Sequence, residues 1–502
     1  MAKLFIPFGS YNADGPAYQH PTRWNDIVML ENYDDVIPSS QNSARPRQSL
    51  SVVTTPALTG KALGCISIRA PAGADFVFAG DATKLYKATS TSTATFTFSD
   101  VSVSGGYSTG AGELWEFAEW QVTSEGTVSQ SVIATNFSDL VQRIFHSPAS
   151  GSTTVTFQAM ITSPAVPPRA RHIGVIGQFV VLGNIQTISA STFYSPSRVW
   201  WSAFGSAGDF TPSATTQCDY EDLSTGGPVQ KIVGGNEYGY IFQTKQIQVM
   251  RYVGGATIFD FSPINYAEGT PIPSSVITYD GGVYYISHQG FHAIYGTESK
   301  NIGNNLVDRD FWSTVEKTRL HDISVASDPI NKIVWWAFPT STAGYADKML
   351  GYKIDDGRWV RWNQTLELLA QIRGDQAEPK FIAFNTDHKL CTFTSDAYVK
   401  AQFETKALQP VPGRRWQVNG ARVLMGGSGV MSAGTCQAKV YDTPLPSAAP
   451  SFTTSVNINP ENNFPMRVAG RYIKLHIELT PGSAVVNSYI GMEIDYEVLG
   501  ER

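Results

Sequence analysis

Short clusters of acidic side chains are the residues whose type and spacing could most readily do chemistry. Asp219-Tyr220-Glu221-Asp222, Asp308 with Asp310, and Asp355-Asp356 each bring carboxylates close together. Two carboxyls roughly 5–9.5 Å apart across a sugar-binding cleft would serve glycoside hydrolysis. Turn chemistry is the competing reading. Asp355-Asp356-Gly357 separates Leu350-Gly351-Tyr352-Lys353-Ile354 from Arg358-Trp359-Val360-Arg361-Trp362, which is a hairpin signal, and exposed turns favour Asp for its geometry and solvation. Gly106-Tyr107-Ser108-Thr109-Gly110 has the spacing of a nucleophile elbow, but an elbow needs a strand before it and a helix after it. Its Ser/Gly-rich surroundings read as a loop. His288 and His292 could hold a metal from one face of a helix. The segment Ser287 to Tyr295, however, reads as strand–turn–strand about Gly290, which separates them. No cysteine pair has zinc spacing and no phosphate-cradling loop occurs. Arg373-Gly374-Asp375 spells an adhesion triplet too short to carry weight. The expectation is therefore a protein that is not an enzyme, with no catalytic, cofactor-binding or metal residues and no cofactor.

Arginine interleaved with tryptophan raises nucleic acid as a ligand. Arg198-Val199-Trp200-Trp201, Arg358 to Trp362 and Arg414-Arg415-Trp416 have this mixture, and such pairs can stack on single-stranded bases. The plainer reading puts Trp inside a sheet and Arg on the alternate face. A net charge of −6 argues against a strong DNA-holding surface, because Lys and Arg neutralising phosphates supply most non-specific affinity. Weak attraction would still suit a conduit through which DNA slides.

The elements that would position these residues are strands. From about Gly60 to Phe393, apolar strand–turn–strand segments return every 45 to 60 residues or so, a period typical of propeller blades. Phe76 to Gly80 turns into Lys84-Leu85-Tyr86, and Val175-Ile176-Gly177-Gln178 leads into Phe179 to Leu182. Ile232 to Gly235 precedes Tyr240-Ile241-Phe242, and Asp280-Gly281 introduces Gly282 to Ile286. Ile323-Ser324-Val325 turns at Asp328-Pro329 into Ile333 to Trp336, and Trp115-Glu116-Phe117 opens a further unit. The spacing of Phe76-Val77 and Lys84-Leu85 recurs in Phe381-Ile382 and Lys389-Leu390, so the two ends are expected to meet where a ring closes. The fold class expected is all-β, a β-propeller of about six or seven blades at 51–406. It is preceded by an extended N-terminal arm at 1–50 and followed by a C-terminal β-sandwich at 407–502. In that last domain Ile473, Leu475, Ile477 and Leu479 alternate cleanly, as do Ile490, Met492, Ile494, Tyr496 and Val498 opposite Glu493, Asp495 and Glu497. Asp308 is expected to cap a short helix carrying Phe311, Trp312 and Val315 on one side.

Composition agrees with an all-β chain. Its 502 residues include 44 Gly and 12% aromatics but only 16% charged residues, against roughly 25% in an average globular protein. Cys65, Cys218, Cys391 and Cys436 are scattered, as expected for reduced thiols made in a cytosol. The N-terminus has no apolar core long enough for a signal peptide, and no run of eighteen apolar residues predicts membrane insertion.

Several segments together resemble the tail-hub or nozzle proteins of short-tailed bacteriophages, including packaged-DNA stabilisation proteins. They are Asp35-Val36-Ile37-Pro38 through Arg45-Pro46-Arg47, Arg171 to Gly177, Arg198-Val199-Trp200-Trp201-Ser202 with Gly208-Asp209-Phe210, and Tyr352 to Trp359. Val468-Ala469-Gly470-Arg471-Tyr472, Gly491-Met492-Glu493-Ile494 and Gly500-Glu501-Arg502 complete the set. The resemblance implies a structural virion protein of the tail, assembled in the host bacterial cytoplasm. It implies a ring of copies of itself, as a homohexamer, below the portal and the tail adaptor. Such a ring continues the DNA channel, helps retain and release the genome, and docks tail fibres or spikes, with double-stranded genomic DNA passing weakly through it. The alternative is a phage-associated propeller glycosidase or polysaccharide-binding protein.

Overall fold

A computed structural model describes residues 2–19, 30–39, 43–54, 56–69, 75–92, 95–124, 127–147, 156–187, 193–255, 257–264, 268–372, 380–426, 431–441, 454–482 and 488–500. Arg373-Gly374-Asp375 lies outside them.

The repeating segments fold as antiparallel four-strand meanders arranged as a β-propeller. The first blade is Gly64–Arg69, Asp75–Gly80, Leu85–Ser92 and Thr95–Asp100, and the second is Glu116–Ser124, Thr127–Thr135, Gln142–Ser147 and Gln158–Ala159. The third is Pro168–Ile176, Phe179–Thr187, Phe193–Trp201 and Asp219–Asp222. The fourth is Val229–Val233, Tyr238–Gln243, Ile247–Tyr252 and Phe259–Pro263, and the fifth is Ile277–Tyr279, Gly282–Ser287, Gly290–Tyr295 and Glu298–Asn301. Ser324–Asp328, Ile333–Phe338, Ala346–Lys353 and Trp359–Leu366 occupy the next place, and their sheet runs on into a larger one. The last blade, Leu368–Ile372, Lys380–Phe384 and Leu390–Thr392, takes its fourth strand, Ser51–Val52, from before the first. Among the described residues six four-stranded sheets thus stand alone, and a four-strand stretch of the larger sheet completes the ring.

Local sequence explains these hairpins. At Asp280-Gly281 both residues have positive φ, 48° and 76°, which is the backbone of a tight type I′ turn and matches the twist of the flanking strands. Ile333–Phe338 is buried at every position, so its run Ile-Val-Trp-Trp-Ala-Phe needs no polar alternation. The apolar clusters lie between successive blades. One joins Val77, Ala79 and Ala88 of the first blade to Ile382, Phe384 and Leu390 of the last, so the two look-alike hairpins do meet at the closure.

The described residues before Ser51 do not stand apart as an arm. Ala2–Pro7 pairs with Gly491–Tyr496, and Leu30–Asp34 pairs with residues 402–405 and touches Arg361. Two sheets result. One is centred on Trp416–Gly426 and Ser488–Val498. The other is centred on Ala401–Thr405, Tyr472–Pro481 and Met431–Tyr441, and it is continuous with the Ser324–Leu366 stretch of the propeller. Their apolar residues form a single core with that stretch. Phe8 stacks on Phe403 at 3.9 Å between ring centres, and Phe403 meets Tyr489 at 5.8 Å. The described first and last segments of the chain are therefore neighbours in one unit, held together by pairings about 490 residues apart in sequence.

Alternation at 473–479 is as expected, with all four named residues fully buried. Ile490 departs from it. The pairing slips one residue between Leu424↔Gly491 and Met425↔Tyr489, and this bulge turns Tyr489 into the core and leaves Ile490 exposed.

Candidate functional site

Five of the clustered carboxylates, Asp222, Asp308, Asp310, Asp355 and Asp356, are engaged with partners within the fold. Asp222, on the outermost strand of the third blade, receives Arg198 Nε at 2.8 Å and Nη2 at 2.7 Å, together with the Ser195 hydroxyl at 3.0 Å. Asp355 and Asp356 do form a hairpin turn, with Gly357 at φ 71°. Asp355 pairs with Lys332 at 3.1 Å, and Asp356 pairs with Arg358 at 2.7 Å. Asp310 accepts the Tyr11 hydroxyl at 2.8 Å.

Asp308 does not cap its helix. The helix is Asp308–Thr314, and its cap position, Val307, supplies no side-chain bond. Asp14 reaches in from the N-terminal segment and accepts the amides of Arg309 at 2.7 Å and Asp310 at 2.8 Å. Asp308 instead accepts the Phe291 amide at 2.9 Å, in a site so tight that a Cβ on Gly290 or Gly303 would lie 2.0 Å from its carboxyl. Burial lifts the Asp308 carboxyl to about 6 against the pull of that hydrogen bond.

Ser108 sits in irregular backbone with no strand before it or helix after it, and its amide donates to Asp139 at 3.0 Å. His288 is exposed on a turn, whereas His292 is buried on the next strand against the Tyr285 ring. Burial drives the His292 imidazole down to about 4. Among the described residues no three His, Cys, Asp or Glu side chains assemble a metal-ligand set.

The tryptophans are core and the arginines beside them are clamps. Trp359 and Trp362 are fully buried and donate to the carbonyls of Ile302 at 3.1 Å and Val36 at 2.6 Å. Arg361 grips both Asp34 oxygens, at 2.9 and 2.7 Å, and donates to Tyr11 at 2.9 Å. Arg47 donates twice to Asp35 Oδ1, at 2.9 and 2.6 Å. Arg358 reaches the carbonyls of Ser39 at 2.6 Å and Ser43 at 3.2 Å. The Arg/Trp mixture of this segment fastens residues 34–39 and 43–47 onto the propeller.

Two features escaped the sequence reading. Glu116, on the innermost strand of the second blade, binds His172 of the third blade and Lys231 of the fourth, both at 3.0 Å. Burial would raise its carboxyl, but Lys231 and His172 outweigh that and hold it at about 2. The second feature is a wall of exposed rings on one face of the third and fourth blades. Phe204 and Tyr252, 51% and 40% exposed, both lean on buried Phe179 at 5.4 Å. Nothing in the spacing of these residues announces either feature, because each draws on different blades. Asp222, Asp308, Asp310, Asp355 and Asp356 are each tied to a partner within the fold, while Asp219 and Glu221 are exposed on their strand.

No family model matches the chain, and no curated protein does. Solved structures with the propeller fold are similar at low identity. A crystal structure of BBS1N in complex with ARL6DN, soaked with lead, is 10% identical with a TM-score of 0.38, covering 70% of this chain and 98% of that one. The same complex soaked with mercury is 8% identical at a TM-score of 0.38, covering 70% and 97%.

Proposed function

We propose that this protein is a structural component of a bacteriophage tail, a nozzle or hub subunit that assembles as a ring below the portal and adaptor. The observation that carries the reading is the way the propeller is built into a second unit. Segments from both ends of the chain pair as strands in the two sheets, and one of those sheets is continuous with the propeller. Buried ion pairs at Asp34–Arg361 and Asp35–Arg47 fasten the junction. Shared sheets and shared core make a body suited to bear load without hinging. Loops on two faces and a side flange leave separate surfaces for an adaptor, for neighbouring copies and for fibres, and a head-to-tail contact that closes yields a ring. The sequence resemblance supplies the place in the virion.

The test is assembly on a template. The chain is co-expressed with the portal and adaptor encoded in the same genome, and the product is imaged by negative stain. A ring of this chain capping the adaptor supports the reading. A portal–adaptor complex that leaves the chain monomeric and unbound overturns it.

A further inference from the structure

Connectivity places the first and third hairpins of every blade on one face of the propeller. On that face the tips of the third and fourth blades border two adjoining open hollows of about 590 and 550 Å³, within the volume range of small-molecule sites. Phe204 and Tyr252 line both, so their rings form the wall between them. The wall is stiff. Phe179 supports both rings and is itself packed edge-on against Phe259 at 5.0 Å. The Tyr252 hydroxyl donates to Gln217 Oε1 at 3.0 Å, and the Gln217 carbonyl accepts Trp201 Nε1–H at 2.9 Å. Gln217 has φ 60°, a left-handed backbone that a non-glycine residue adopts at a cost and that clusters at ligand sites.

The remaining groups are polar, and one of them, Arg251, is cationic. Asn236, Gln178, Glu237 and Arg251 surround the first hollow, and Thr215, Thr216, Gln217 and Asp209 surround the second. Planar amides, hydroxyls and a single carboxylate in each hollow donate and accept in pairs, beside ring faces that carry negative charge density. A sugar presents the complement, with vicinal hydroxyls on its rim and polarised C–H groups on its face. We infer that this face binds a glycan chain, at least two sugar units long, laid across the Phe204–Tyr252 wall with one unit in each hollow. The inference does not depend on ring assembly.

Binding is measured on the full chain by isothermal titration with maltohexaose, cellohexaose, chitohexaose and a bacterial O-polysaccharide. At least one is expected to bind with Kd of about 0.1–1 mM, weaker by at least about tenfold for its monosaccharide. Phe204→Ala and Tyr252→Ala should each weaken binding about tenfold. Phe204 is half exposed and Tyr252 lies at a blade tip away from the propeller core, so the variants should remain folded, with melting temperatures lowered by no more than about 2–4 °C. Tyr252→Phe, which keeps the ring and loses the Gln217 bond, should weaken binding less than Tyr252→Ala. No binding by any of the four at about 10 mM overturns the inference, as does binding that survives the Phe204→Ala/Tyr252→Ala double variant. Loss of adaptor binding in the double variant, with saccharide binding absent, would reassign the face to protein docking.

Discussion

Glu116, His292 and Asp308 tie the stability of the propeller to pH, and they do not all pull the same way. The Glu116 carboxyl is held at about 2, below its usual 4.5. Its contribution is complete above pH 4.5 and is lost as pH falls toward 2. His292, lowered from 6.5 to about 4 by burial, adds a loss as pH falls from 6.5 to 4. Asp308 is raised from 3.8 to about 6, so it favours folding below pH 3.8 and loses that contribution as pH rises through 6. Glu116→Gln should therefore lower unfolding free energy at pH 7 by on the order of 2–3 kcal/mol, and the deficit should shrink toward pH 3. Urea melts at both pH values check it, and an unchanged deficit at pH 3 would show that lost packing, not charge, is the cause. Asp308→Asn, which retains an acceptor for Phe291, should raise stability at pH 8 by about 1–2 kcal/mol with little change at pH 4. At this scale the sequence showed which residues were acidic but not their partners. Asp222 meets an arginine 24 positions away, and Glu116 needs two other blades to acquire its environment.

At the scale of elements, turn chemistry and periodicity were legible because they are local. Asp280-Gly281 announces its hairpin, and Ile473 to Leu479 announce their buried face. The N-terminal segment was not legible, since its strands are short, its polar residues are many and its partners lie hundreds of positions away. Asp14 capping the helix at Asp308–Thr314 is a case in point. Capping by a residue 295 positions upstream of the first amide it binds leaves no mark in the helix sequence, and Asp308, although acidic and at the helix start, does not make the capping bond. Asp14→Ala should cost about 1 kcal/mol, the usual value for a lost cap, and should be seen as faster amide exchange in the first turn of that helix. Phe8→Ala removes one half of the Phe8–Phe403 stack from a fully buried site. It should cost about 3–5 kcal/mol by chemical denaturation, whereas a free arm would register almost nothing.

The whole molecule reads as a ring whose closure is shared. Ser51–Val52 completes the last blade, and Leu4, Ile6, Phe8, Tyr11, Leu30 and Tyr33 are buried in the core of the two adjoining sheets. The repeat and the matched end hairpins were visible in the sequence because blades are similar solutions to one packing problem. The seam between propeller and C-terminal strands was invisible because it is made once. Deleting residues 2–46 should uncover that core and yield an insoluble or partly unfolded chain, judged by circular dichroism and gel filtration, where removal of a dispensable arm would leave a folded monomer. The seam also sets a timetable for biosynthesis. Ala2–Pro7 leaves the ribosome long before its partner Gly491–Tyr496 is made. At roughly 5–20 residues per second, the apolar Leu4-Phe5-Ile6 edge waits tens of seconds before it can be covered. A chain that stops short of residue 491 can complete several blades yet leaves this apolar edge without its strand partner.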